Sequence, residues 1–293
     1  MVIFQLLASG LLLGGVYALI ALGLSLIFGV MRLINFAQGE FIMLGMYFAF
    51  WLYTLWGVDP YVSAVLILPV AFGVGILLER LLFRPIASAP PIMQMLLTFG
   101  LSLSLQNVAL IAFGGTYQSV PVNYASSSVD VAGLHLSVTE LVAFLVSVGI
   151  SVSFFAFLRW TRTGKGLRAV QQNRYATLLM GVNVQQLRML AFGIGIALAG
   201  LAGVLLAPIY FIYPSAGAAV IFLGFVIVVL GGLGNLIGAV LAGLLIGVVE
   251  TFSGYFLPLG LKESVALGVF FLVLLARPAG LFGARGSEEL GFK

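Results

Sequence analysis

Residues 2–30 read VIFQLLASGLLLGGVYALIALGLSLIFGV, without one charged side chain. A helix rises about 1.5 Å per residue and a bilayer's hydrocarbon core is about 30 Å thick, so this run can cross a membrane. Gly10 and Gly14 stand at the small-xxx-small spacing that lets two helices approach closely. Comparable apolar runs follow at 36–56, 61–83, 92–113, 136–160, 189–212, 216–230, 236–256 and 264–276. They do not alternate as barrel strands would. The expectation is an all-α, polytopic transmembrane helical bundle, 1–293 forming a single domain of about eight or nine membrane segments with one or two interrupted helices. The count turns on Gly231-Gly232-Leu233-Gly234-Asn235. A turn there gives nine segments, a mid-membrane interruption eight.

Composition excludes the soluble alternative. Hydrophobic residues make up 62% of the chain and charged residues 8%, where a soluble domain carries about 25% charged. A soluble chain of this length must cover its surface with polar groups, and this one lacks them. The 13 Lys and Arg outnumber the 9 Asp and Glu, but they lie between apolar runs. That is the positive-inside pattern of a membrane protein, not a nucleic-acid surface. Cysteine is absent, which removes disulfides and thiol nucleophiles, and His135 alone cannot build a histidine metal cluster. No Lys or Arg precedes Arg32, so the amino end lacks the basic region of a cleaved signal peptide and is expected to stay as the first span. Enzymatic constellations are missing. Thr163-Gly164-Lys165-Gly166 lacks the spacing and the terminal Ser/Thr of a Walker A loop, so no cofactor is expected here and any ATP is used by another subunit.

One segment is long, polar and basic. Residues 159–188, RWTRTGKGLRAVQQNRYATLLMGVNVQQLR, hold Arg159, Arg162, Lys165, Arg168, Arg174 and Arg188. Placing it in the cytoplasm and alternating outward brings Arg32, Arg80, Arg84, Arg277, Arg285 and Lys293 inside, and leaves only Lys262 outside. The amino end is then outside and the carboxyl end inside. Residues 114–137, polar and free of Lys and Arg, form an external loop. Within the basic segment, 163–166 reads as a flexible lead-in. Residues 173–180 read as a short helix with Tyr175, Leu178 and Leu179 on one face. Gly181 is placed to cap its end, and Asn183 with Gln186 has capping-box spacing for the next helix. Such a helix either docks a cytoplasmic partner or rests on the lipid interface.

The first apolar run is followed by Asn35-Phe36-Ala37-Gln38-Gly39-Glu40. Asn35 and Gln38 have capping-box spacing, which predicts a new helix from about Phe36. The break is either a cytoplasmic turn, which Arg32 supports, or a mid-membrane interruption lining a path. Paired interruptions point to a site between halves of a transporter. Asn35, Gln38, Glu40, Gly231, Gly232, Gly234 and Asn235 are therefore the candidate path residues. Glu79 reads as a span end meeting water, and Glu250 as a helix end near the surface, with a gating or ion-coupling role as its alternative. Gln106-Asn107 reads as a pair bonding between helices, and Lys262-Glu263 as a solvated outer pair.

Residues 23–47, GLSLIFGVMRLINFAQGEFIMLGMY, resemble the amino-terminal signature of branched-chain amino-acid ABC permeases. Residues 162–183 are similar to that family's cytoplasmic coupling segment, and GIGIALAGLAGVL (193–205) to the helix after it. VVLGGLGNLIGAVLAG (228–243) and RPAGLFG (277–283) resemble its carboxyl-terminal signature. Gln38 stands where the family commonly has His. Asn173, Tyr175 and Thr177 stand where it has acidic residues around an Ala pair. The resemblance implies an importer of branched-chain or other hydrophobic amino acids in a bacterial-type inner membrane. Such an importer has two related permeases, two cytoplasmic ATPases that use ATP, and a periplasmic or extracellular binding protein. Arg168, Asn173, Arg174, Tyr175, Ala176, Leu178, Leu179 and Gly181 would then make the ATPase contact. Related permeases carry urea or short amides, which is the alternative cargo. A stand-alone carrier coupled through Glu40 and Glu250 is the rival from another class.

Overall fold

The computed structural model describes residues 1–122, 124, 127–131, 133–258 and 261–283. Five helices precede the basic segment's own pieces: α1 (Val2–Met31), α2 (Gln38–Trp56), α3 (Pro60–Leu78, continued by a π-helical turn Glu79–Phe83), α4 (Pro91–Phe113) and α5 (Val138–Trp160). The basic segment folds into α6 (Arg162–Gln172) and α7 (Arg174–Leu179). After it come α8 (Val184–Leu206), α9 (Ala216–Gly231), α10 (Leu236–Phe256) and α11 (Lys262–Ala276). Six of the described helices are long and apolar enough to cross a membrane, namely α1, α3, α4, α5, α8 and α10; α9 and most of α11 are shorter apolar helices. The chain is a polytopic helical membrane protein.

The all-α expectation needs one correction. Between α4 and α5, β1 (Ser128–Val131) pairs antiparallel with β2 (Leu134–Ser137). Both stretches alternate in side-chain character, and Gly133 between them takes the positive φ of +81° that the turn requires. Asp130 and His135 face each other in register, and their side chains touch. The amide of Gln5 bonds the backbone of His135 in both directions, so the start of α1 lies against this hairpin. Gln118 and Ile212 form an isolated bridge, which brings the end of α8 and the start of α9 to the same end of the bundle.

α1 and α8 sit in the middle, buried on nearly every face, which is why their sequences are apolar all round. α1 meets α10 antiparallel along a seam where glycines bring the two backbones into contact. A Cβ on Gly10 would lie 2.7 Å from Val248 Cα, one on Gly14 2.8 Å from Leu244 Cα, and one on Gly243 2.6 Å from Ala18 Cα. The small-xxx-small spacing of Gly10 and Gly14 thus has its counterpart in Gly243 and Gly247. α8 closes on α2 by a similar crossing, with Gly45 against Gly200 and Gly203 against Ile42, and Gly75 of α3 packs on Gly193. α4 stands apart, mostly exposed.

Local chemistry sets the helix ends. Asp59 Oδ1 accepts from Tyr61 N at 2.8 Å and starts α3 ahead of Pro60. The same carboxylate takes the Tyr124 hydroxyl at 2.6 Å; burial and that contact hold the phenol above its ordinary range. The flexible lead-in expected at 163–166 is instead part of α6. Thr161 caps it by accepting from Gly164 N at 2.9 Å, and Gly164 lies against the backbone of Leu158. Glycine is there because α6 folds back onto α5 too closely for a side chain. Asn107, expected to bond between helices, is exposed and donates to Leu103 O of its own helix.

Candidate functional site

The interruption after α1 starts at the exposed Arg32 and runs into the bundle, where Asn35 is fully buried. Met31 ends α1, and Arg32 takes a left-handed backbone (φ 57°) with its N–H on Phe28 O at 2.8 Å. Among the described residues it is the one non-glycine at positive φ. Residues 33–37 then run without helix until α2 begins at Gln38. Asn35 does not cap α2 as its spacing predicted, nor does the helix begin at Phe36. Ala37, which has no side-chain acceptor, occupies the cap position, and Asn35 is fully buried.

The neighbours of this break come from the interiors of α4 and α8 and from α9, including its first turn. Thr98 Oγ1 of α4 donates to Ile34 O at 3.3 Å, and Phe36 packs on Phe225 of α9 at 5.2 Å between ring centroids. Gln38 Nε2 reaches Gly195 O of α8 at 3.5 Å, and Ser102 Oγ of α4 donates to Glu40 Oε1 at 2.9 Å. Gly39 meets Gly217 of α9 backbone to backbone. Asn35, Gln38 and Glu40 are completely buried, yet both polar atoms of the Asn35 amide, Gln38 Oε1 and Glu40 Oε2 make no hydrogen bond. Buried polar atoms without partners cost about 1–3 kcal/mol each, so this cluster weighs on the stability of the bundle and is its candidate site.

Gly231, Gly232, Gly234 and Asn235 are not brought to that cluster. They form the turn between α9 and α10, with positive φ at Gly232 (+96°) and Gly234 (+80°). Asn235 caps α10 by accepting from Gly238 N at 3.0 Å, and its Nδ2 donates to Phe282 O at 2.7 Å. Leu281 N also donates to Leu230 O, so the Arg-Pro-Ala-Gly-Leu-Phe-Gly segment closes over this turn. Gly234 and Asn235 line a cleft of about 880 Å³ shared with Arg32, Arg159, Arg168 and Gln171. The turn therefore sits at the basic end of the bundle, opposite the hairpin.

The coupling candidates lie beside that cleft. Asn173 separates α6 from α7 and caps α7, its Oδ1 accepting from Ala176 N at 2.9 Å. Thr177 turns inward, while Arg174, Tyr175, Ala176, Leu178 and Leu179 are exposed. Tyr175 is 74% exposed, Leu179 76% and Met180 82%. Gly181 ends the turn at φ +74°, its N–H on Leu178 O at 3.0 Å, and Asn183 Oδ1 caps α8 by accepting from Gln186 N at 3.1 Å. The elbow thus presents apolar side chains to the outside from an ordered, capped segment.

Two acids lie deeper than the sequence indicated. Glu79 does not meet water: it is 1% exposed, accepts from Gln185 Nε2 at 3.3 Å, and lies within electrostatic reach of Arg188, itself buried in α8. Glu250 is 7% exposed within α10, not at a surface end. It faces a cavity of about 370 Å³ walled by Tyr17, Tyr210, Tyr213, Leu223 and Val226. Tyr17 and Tyr210 bring their hydroxyls to 3.3 Å of each other there. Glu250 carried a sequence signal as an acid within an apolar run; Tyr17 and Tyr210 carried none, because their meeting depends on packing between α1 and the end of α8. Arg285 and Lys293, and the side chains of Lys262 and Glu263, lie outside the described residues.

Comparison with known proteins now fits this geometry. The family model described as branched-chain amino acid transport system / permease component matches residues 6–276. The chain is 33% identical over 299 residues to the high-affinity branched-chain amino acid transport system permease protein BraD of Pseudomonas aeruginosa, covering 98% of this chain and 97% of that one. It is 30% identical to the permease protein LivH of Salmonella typhimurium, with 96% of each chain covered. To a probable branched-chain amino acid transport permease protein LivH of Methanocaldococcus jannaschii it is 28% identical, over 95% of this chain and 92% of that one. No solved structure matches. With buried polar groups at mid-bundle, a capped amphipathic elbow at the basic end and a match over nearly its whole length, this chain belongs to the permease component family of branched-chain amino acid transport systems.

Proposed function

We propose that the chain is the membrane-spanning permease subunit of an ATP-driven importer for branched-chain amino acids, working with a second related permease, two cytoplasmic ATPases and an external binding protein. The observation that carries this reading is the elbow of α6 and α7. Tyr175, Leu178, Leu179 and Met180 are exposed together on a segment capped at both ends by Asn173 and Gly181. A surface-lying lipid anchor would need only an apolar face. The fixed caps and the close seat of Gly164 on Leu158 suit a rigid lever instead. ATP binding and closure belong to the partner ATPases; this chain contributes the lever and the path.

The path reading follows from burial. Asn35, Gln38 and Glu40 are polar groups at the depth of Thr98, Gly195 and Phe225, where backbone freed from helix is tolerated only around a cavity or a protein core. We assign them to the closed part of the route. The cavity beside Glu250 is its outer mouth: mixed aromatic and aliphatic walls complement a branched side chain, and a carboxylate complements an ammonium. A carboxylate has about four acceptor positions, so other contacts of Glu250 do not exhaust it. Backbone contacts among Gly39, Gly217, Gly45 and Gly200 allow α2, α8 and α9 to slide between two arrangements.

The same reading orders the membrane crossings. The start of α1 lies against the hairpin and Arg32 at the basic end, so we take α1 as running from outside to inside. Alternation through α2, α3, α4, α5, α8, α9, α10 and α11 then gives nine crossings, amino end outside and carboxyl end in the cytoplasm. The test is leucine uptake into proteoliposomes holding the two permeases, with and without the ATPases and the loaded binding protein. Uptake is expected only with the full set. ATP-independent uptake by this chain alone overturns the assignment.

A further inference from the structure

The cleft at the basic end is lined by three arginines: Arg32 from the end of α1, Arg159 from the end of α5, and Arg168 from α6, the lever's own first helix. No Asp or Glu is among the described residues lining it. Gln171 and Asn235 add amides, while Phe28, Phe155 and Phe282 make the remainder apolar. Three like charges around one cleft repel one another, and an anion is the partner that would relieve them. Arg32 is held there by a left-handed backbone that side chains other than glycine rarely adopt, at φ 57°. The depth is marked independently: Trp160, next to Arg159, is 75% exposed at the end of a membrane-crossing helix, as an aromatic at the headgroup level is.

We propose that this cleft binds the headgroup of an anionic phospholipid from the inner leaflet. Arg32, Arg159 and Arg168 hold the phosphate oxygens, and the first acyl methylenes lie on Phe28 and Phe155. Charge complementarity selects the occupant. The cytoplasmic leaflet carries the anionic lipid, basic clefts between helix ends on that side suit its headgroup, and the arginine fork matches phosphate geometry. A volume of about 880 Å³ accommodates a headgroup with the beginning of its chains. The proposal rests on the orientation argued above, which sets this end in the cytoplasm. Its consequence is that lipid would brace α1, α5, the lever's first helix and the turn between α9 and α10 against one another.

The test uses the assembled importer in nanodiscs of phosphatidylcholine with graded phosphatidylglycerol, read by native mass spectrometry of retained lipid and by thermal unfolding. The wild type is expected to retain phosphatidylglycerol over phosphatidylcholine and to unfold at a higher temperature when it is present. Each arginine removed should weaken retention about fivefold, so Arg32→Gln with Arg159→Gln should abolish the preference, while Arg32→Lys with Arg159→Lys should keep most of it. Equal retention of both lipids by the wild type, or an unchanged preference in the double Gln variant, overturns the proposal. Stabilisation by millimolar inorganic phosphate in pure phosphatidylcholine, equal to that by lipid, would identify a soluble anion instead. A chain ending at residue 283 removes Glu288 and Glu289; tenfold stronger lipid retention by that chain would make the tail the occupant and overturn the lipid assignment. Leucine uptake assayed in parallel reports on the importer reading, so the two can fail separately.

Discussion

Replacing Leu179 by alanine tests the hydrophobic lever directly. Leu179 is 76% exposed on α7, so its truncation should leave the permease's own unfolding temperature unchanged. Covered by an ATPase, the side chain would lose that exposure. Three carbons are removed, worth about 0.8 kcal/mol each when buried, which scaled by the exposed fraction gives about 1.8 kcal/mol. The expected result is roughly 20-fold weaker binding of the ATPase. The measurement is a titration of fluorescently labelled ATPase against the permease pair in nanodiscs at fixed salt, with Arg174→Gln run beside it. An apolar grip predicts a large effect of Leu179→Ala that survives high salt and a smaller, salt-sensitive effect of Arg174→Gln. If Leu179→Ala binds within twofold of wild type, or if only Arg174→Gln weakens binding, the lever's face is misassigned.

Three further outcomes follow from packing and capping. Gly14→Ala should destabilise the protein by about 1–3 kcal/mol, because the new Cβ meets the backbone of Leu244. Gly149→Ala, whose Cβ would meet nothing, should be neutral or stabilising, and thermal unfolding in detergent compares the two. Asn235→Ala removes the α10 cap and the bond to Phe282 O, for a loss of about 1–2 kcal/mol; Asn235→Asp should lose less, since the cap acceptor stays, and denaturant titration ranks them. Ser102→Ala should harm the fold more than Glu40→Gln, by about 1–3 kcal/mol, since it strips a buried carboxyl of its donor while the Gln oxygen can still accept. The reverse order of unfolding temperatures would mean that the carboxylate draws its support from elsewhere.

What could be read from the sequence was local. Asn183 caps the helix that follows it through a contact three residues away, as its spacing predicted, and Gly181 ends α7 by its own backbone angle. Asn173 and Asn235 cap in the same local way, though neither was expected as a cap. The apolar runs gave the helices for a similar reason, since length and hydropathy alone decide whether a segment can cross a membrane. Depth was another matter. Glu79 is buried by Gln185 and Arg188, more than a hundred positions along the chain, and Glu250 by Tyr17 of the first helix. Asn35 has cap spacing but faces the bundle's interior, where that spacing has no use. Gly164 looked like a source of flexibility; its lack of a side chain instead permits close contact with Leu158. The path candidates divided on the same ground. Asn35, Gln38 and Glu40 were drawn together by neighbours from α4, α8 and α9, whereas Gly231 to Asn235 were held by the carboxyl-terminal segment at the far end.

The glycine seam between α1 and α10 also bears on biosynthesis. Gly14 leaves the ribosome some 230 residues before Gly247, the partner that covers it. At roughly 5–20 residues per second that interval is roughly 10–50 s. For all of it the first helix is in the bilayer with its closest-packing face open, and α8, its other main neighbour, arrives only late in the interval. The helix that ends at the centre of the bundle is therefore the one that waits longest for its partners. Assembly is completed from the carboxyl end, when α10 arrives and slots back against the first residues made.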